Sequence, residues 1–154
     1  MTRWLTEDEH RAWRGLLQMT AQVDAQLARQ LQEDSGLSRA DYDVLVPLSE
    51  APDCRLRMFE LSAELCWEQS RLSHHLSRMQ KRGLVRREEC TSDRRGAFVV
   101  LTPAGRAAIE KAAPSHVDAV RQLVFEGLTP TQVKALGSIT THVLNKLQPD
   151  PSTP

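Results

Sequence analysis

Apolar residues recur at helical spacing over most of this chain. Trp13, Leu16, Leu17, Thr20, Val23, Leu27 and Leu31 fall three or four apart and predict a long first helix, about residues 6–34. Thr6-x-x-Glu9 opens it as a capping box, and Ser35-Gly36 stops it. Ser38-x-x-Asp41 opens a second helix, with Tyr42, Leu45, Val46 and Leu48 on its apolar side and an end near Ala51-Pro52. A third, about Arg57 to Cys66, carries Met58, Leu61 and Leu65, with Cys66 assigned to the core. In the fourth, Glu68 to Gly83, Leu72, Leu76 and Met79 line one face, while Ser70, Arg71, His74, Ser77 and Arg78 line the other without a carboxylate among them.

The period then changes. Leu84–Cys90 and Ala97–Leu101 read as short strands joined by the polar turn Thr91 to Gly96, which carries two adjacent arginines. Thr102-Pro103 places a capping residue before a proline that suits a first helical turn. The helix it opens runs through Ile109, Val117, Val120, Leu123 and Val124 to Gly127, with a kink or break expected at Pro114. Thr129-Pro130-Thr131-Gln132 starts a last helix bearing Val133, Leu136, Ile139, Val143, Leu144 and Leu147. The tail 149–154, rich in proline, is expected to be disordered.

Charge sharpens this picture. The formal net charge over 154 residues is zero, yet residues 71–95 hold eight Arg or Lys against three acids, a net of +5 balanced by −5 elsewhere. A cationic patch on a neutral chain suits phosphate, because each neutralised phosphate releases counterions. Cys54, Cys66 and Cys90 have no metal-ligand spacing, and His74-His75 diverge by about 100° on a helix, so no metal site and no cofactor is expected. No run is apolar enough to span a membrane, and the acidic, amphipathic N-terminus does not resemble a signal peptide, so a cytoplasmic protein is expected. Glycine-rich nucleotide loops and a recognisable nucleophile–base set are missing from the sequence, which argues against an enzyme.

Asp93, Arg95, Val99, Leu101, Thr102 and Gly105 form D-x-R-x-x-x-V-x-L-T-x-x-G, six fixed positions within thirteen residues. This resembles the wing signature of the MarR family of bacterial transcriptional regulators. The preceding KRGLVRR resembles that family's recognition helix running into its first wing strand. The implied fold is mainly α: a winged helix-turn-helix core of three helices plus a two-stranded wing, about 38–102, with long dimerisation helices at about 6–34 and 103–147. Together these make a single domain over 1–148. The implied function is sequence-specific regulation of transcription, as a repressor on a palindromic operator in double-stranded DNA.

The residues support that reading independently, since a helix with a cationic outer face fits the major groove and a basic hairpin reaches backbone or minor groove. Ser70, Arg71 and His74 are candidates for base edges, and Arg78 for phosphate. His75 stands open between a structural and a DNA role. In the family pattern Arg95 enters the minor groove, Asp93 orients it and Arg94 meets the backbone; the plainer reading pairs Asp93 with Arg95 only to stabilise the turn. Leu101, Thr102 and Gly105 read as structural, the last for a close approach to the wing.

Apolar stripes on the terminal helices exceed what a small winged helix buries. Pairing them with a second copy hides them and presents two recognition helices, whereas packing all six helices into one monomer is the bland alternative. The family resemblance also implies a small, often aromatic and acidic effector. His10, Trp13, Arg14 and Tyr42 are the residues that suit one, against a plain reading as core and surface residues. Two other functions stay open: a winged helix serving protein–protein assembly, and a thiol-responsive regulator acting through Cys54.

Overall fold

The structure, a computed structural model, describes residues 1–89 and 97–148. The expectations for the wing turn (Asp93, Arg94 and Arg95 among them), for Cys90 and for the tail 149–154 lie outside the described residues. The chain forms two compact units, residues 1–119 and 120–154.

In the first unit, α1 spans Glu7–Ser35. Thr6 caps it: the Glu9 N–H donates to Thr6 Oγ1 at 3.2 Å, and the Thr6 N–H donates to Glu9 Oε2 at 2.8 Å. Gly36, at φ 69°, ends it in the left-handed conformation that glycine adopts without a steric penalty. Helix α2, Arg39–Glu50, opens with the same reciprocal cap between Ser38 and Asp41. Pro47 lies inside it and is buried. A short 3-10 turn, Pro52–Cys54, leads to strand β1, Arg55–Arg57.

Helix α3, Met58–Leu65, and helix α4, Gln69–Lys81, form the helix-turn-helix. Strands β2, Val85–Glu88, and β3, Phe98–Leu101, follow, and helix α5 runs Pro103–Val120. The strands form one antiparallel sheet in the order β1-β3-β2, with Val85 opposite Leu101 and Arg55 opposite Val100. The wing expected as two strands therefore gains a third. Three residues, Arg-Leu-Arg, are too few to show an alternating pattern, so only pairing with β3 defines β1.

One apolar core ties this unit together. Leu31, Val44, Leu45, Leu48, Leu61, Leu72, Leu76, Met79 and Val99 are fully buried, with Ile109 and Ala112 from α5 packed on them. On α2 the fully buried valine is Val44, whereas Val46 is only half-buried against the core. Gly105 sits where a Cβ would meet the Leu84 carbonyl oxygen at 2.0 Å, so α5 approaches the wing at a distance only glycine allows. The Thr102 hydroxyl accepts the Gly105 N–H at 3.0 Å and lies 3.0 Å from the Leu84 oxygen, closing the strand-to-helix corner.

One expectation fails here, and half of another. Cys66 is exposed rather than core: it ends α3 with φ 54°, and a residue that turns the chain out of a helix cannot also follow the helix's apolar stripe. Pro114 does not break α5, which continues through it to Val120. The irregularity comes later, as a π-helical turn at Arg121–Phe125 in the second unit, followed by Gly127 at φ 92°.

The second unit also holds α6, Pro130–Leu147, capped by Thr129 and Gln132 as its sequence predicts. None of its side chains is buried. Ile139 is 62% exposed and Leu144 59%. In the first unit α1 buries only Leu27 and Leu31, while Trp13, Leu16 and Leu17 stay about half exposed. Among the described residues no helix is long and apolar enough to cross a membrane.

Candidate nucleic-acid interface

Helix α4 is seated by Leu72, Leu76 and Met79, each fully buried, and this fixes which side faces outward. Ser70, Arg71, His74, Ser77 and Arg78 are all exposed on that outward side. A cleft of about 660 Å³ runs beside it, walled by Arg71, His74, Arg78 and Arg82 and by Gly36 and Asp41 opposite.

Contacts within the site restrain several of these side chains. The Arg71 guanidinium lies over the Trp67 ring, 4.1 Å from its centroid, a cation–π contact that keeps the arginine beside the start of α4. His75, which the sequence left open, is structural: it is buried, edge-on to Trp67 at 5.8 Å, and its Nε2 lies 3.0 Å from Asp41 Oδ1. That last contact is a close approach without an aligned hydrogen bond. On the other ring nitrogen, Nδ1 meets Arg78 Nη2 at 3.0 Å.

Asp41 is the residue that sequence reasoning undervalued. It reads as the third residue of a capping box, and it is that, accepting the Ser38 N–H at 3.0 Å. Its Oδ2 also accepts Arg82 Nη1 at 2.7 Å, a partner 41 positions away that no local pattern announces. Burial alone would raise its pKa, but the hydrogen bonds from Arg82 and the Ser38 backbone outweigh burial and hold the carboxyl below its ordinary range. Burial, the largest influence on His75, lowers the imidazole pKa. Asp41 thus ties α2 to both the middle and the end of the recognition helix.

The wing is tied to the same helix. Arg87 on β2 donates to the Ser73 carbonyl and to Ser77 Oγ, bonding the strand to α4. Arg86 pairs with Glu88 at 2.8 Å on the exposed side of the same strand.

The four effector candidates are not assembled by one chain. His10, Trp13 and Arg14 are exposed on the first half of α1. Tyr42 is buried near Leu31, more than three helical turns along, a span of about 20 Å or more. Its ring packs against His116, 4.3 Å between centroids, and His116 Nδ1 meets Gln30 Oε1 at 3.1 Å. Cys54 is half-buried, with its sulfur against the Arg106 guanidinium.

Comparison with known proteins bears on the whole arrangement. Residues 37–96 match the MarR family profile. Sco3205, a MarR family transcriptional regulator from Streptomyces coelicolor solved in complex with DNA, is 47% identical, with a TM-score of 0.91 over 97% of this chain and 94% of that one. AbsC, a MarR family transcriptional regulator from the same organism, is 42% identical, with a TM-score of 0.88 over 95% of this chain and 98% of that one. The transcriptional repressor YetL of Bacillus subtilis (strain 168) is 29% identical over 107 residues, which span 68% of this chain and 64% of YetL. With its helix-turn-helix, wing sheet and cationic outer face, the chain belongs to the MarR family of transcriptional regulators.

Proposed function

We propose that this regulator is a cytoplasmic repressor that binds a palindromic operator as a homodimer and is released by a small acidic ligand. The observation that carries the DNA reading is the outward face of α4, where Ser70, Arg71, His74 and Arg78 are exposed on a helix fixed by three buried apolar residues. Ser70, Arg71 and His74 read base edges, Arg78 meets phosphate, Arg95 enters the minor groove with Asp93 orienting it, and Arg94 meets the backbone. The DNA bound by Sco3205 supports this by likeness, and the likeness to YetL, a transcriptional repressor, supports repression.

Dimerisation is supported by apolar surface that the single chain leaves uncovered on α1 and α6. A two-fold dimer covers that surface and matches the symmetry of a palindrome. For the effector, His10, Trp13 and Arg14 share the uncovered half of α1, where a second chain supplies the opposite wall. Tyr42 is packed on one side by His116 and borders a surface pocket with Arg39 and Trp67.

The test is fluorescence anisotropy on duplex from the protein's own upstream intergenic region and on a scrambled duplex, at two salt concentrations. Specific binding near 10⁻⁸ M or tighter, weakened by salt and lost in Arg95→Ala, supports the reading. Equal, weak binding to both duplexes contradicts it. Arg14→Ala is expected to keep DNA affinity while losing the effector response.

A further inference from the structure

We propose that His75 is a positioning residue for DNA binding, its Nδ1 holding the Arg78 guanidinium in place for a phosphate. The inference rests on the reading of Arg78 given above and adds a residue that does not itself touch DNA.

The geometry is a three-part relay through the cleft wall. Asp41 on α2 lies 3.0 Å behind His75 Nε2, and Arg78 Nη2 lies 3.0 Å in front of Nδ1. A guanidinium only donates, so Nδ1 must be the acceptor and the proton of the neutral ring must sit on Nε2, the nitrogen on the Asp41 side. Burial keeps the imidazole neutral near pH 7, so Nδ1 has its lone pair available there. The other charged group facing the ring is Arg82, just beyond α4, and it is engaged by Asp41. Asp41 is 2% exposed and His75 8%, so the relay is anchored in the core while Arg78 is exposed.

The contact uses one of the five guanidinium N–H donors. A long arginine side chain gives up rotamer freedom when it meets a phosphate, and one already tethered has given up part of it before DNA arrives. Because the tether comes from the imidazole, the orientation of Arg78 depends on an acceptor nitrogen at that position rather than on the bulk of the ring.

A double-mutant cycle on DNA binding, run on full-length protein with operator and scrambled duplexes, separates positioning from seating. Arg78→Ala is expected to weaken binding to both duplexes and to lower the salt slope by about 0.9 per chain. His75→Gln keeps a donor toward Asp41 and loses the Nδ1 acceptor; it is expected to weaken binding about five-fold when Arg78 is present and not at all in the Arg78→Ala background. His75→Asn, whose carbonyl can stand near Nδ1, is expected to recover most of the loss. Equal losses in both backgrounds, or no loss from His75→Gln, overturn the inference. If Arg78→Ala itself leaves affinity and slope unchanged, the phosphate role fails first and the inference fails with it. Nitrogen-15 spectra of the unsubstituted protein are a check independent of any variant's folding: a bare Nδ1 is expected, and a protonated Nδ1 overturns the proposal.

Discussion

Gly105 shows how much one missing carbon can decide. A methyl group there would sit 2.0 Å from the Leu84 carbonyl oxygen, a backbone atom that also accepts the Thr102 N–H at 3.2 Å. Neither α5 nor the start of β2 can retreat without loosening that corner. Gly105→Ala is expected to destabilise the fold by about 1–3 kcal/mol in denaturant titration, with the wing strand displaced. The buried histidines set a second residue-scale expectation. Burial lowers the pKa of both His75 and His116 below the ordinary 6.5. The unfolded chain therefore takes up these protons first, so their contribution to stability is complete above pH 6.5 and is lost as pH falls through the folded-state values. Melting temperature is expected to fall from pH 7 toward pH 5, and less steeply in His116→Gln. Asp41 acts in a lower window: with its pKa held below 3.8, its contribution is lost only as pH drops under that value.

At the scale of elements, helices were legible wherever a cap and an apolar period agreed. Thr6, Ser38 and Thr129 each make the reciprocal cap their spacing announces, and α4 buries the leucines and methionine its period selects. Strand β1 and the Asp41–Arg82 pair were not legible, because both exist only through partners distant in sequence. Cys66 misled because helical periodicity carries no information about the residue that ends the helix. At Pro114 the break did not occur: a proline forfeits a helical hydrogen bond, yet α5 continues through it, with Ile109, Ala112 and His116 buried on either side. The DNA-reading face depends on how α4 is seated. Leu76→Ala is therefore expected to cost about 2–5 kcal/mol of stability, measured by chemical denaturation.

For the whole molecule, the uncovered apolar side chains of α1 and α6 are the most direct argument for a second copy. Val143 at 48%, Leu144 at 59% and Leu147 at 72% exposure would each lie bare on a monomer. Leu144→Asp is expected to shift sedimentation from dimer to monomer and to remove operator binding, while the first unit keeps its own core. The apolar stripes legible in the sequence stay uncovered on the single chain, whereas the effector candidates are not gathered by it, since helical spacing does not report distances between elements: His10, Trp13 and Arg14 lie far along α1 from Tyr42.

The central claim, a dimer reading DNA through two copies of α4 and its wing, is tested most directly by selecting duplexes from a random pool with the purified protein and sequencing what is retained. The account predicts an enriched inverted repeat, with half-sites one helical turn apart, about 10–10.5 base pairs, or a multiple of that. A pool with no enriched sequence, or with a single unrepeated half-site, would contradict it.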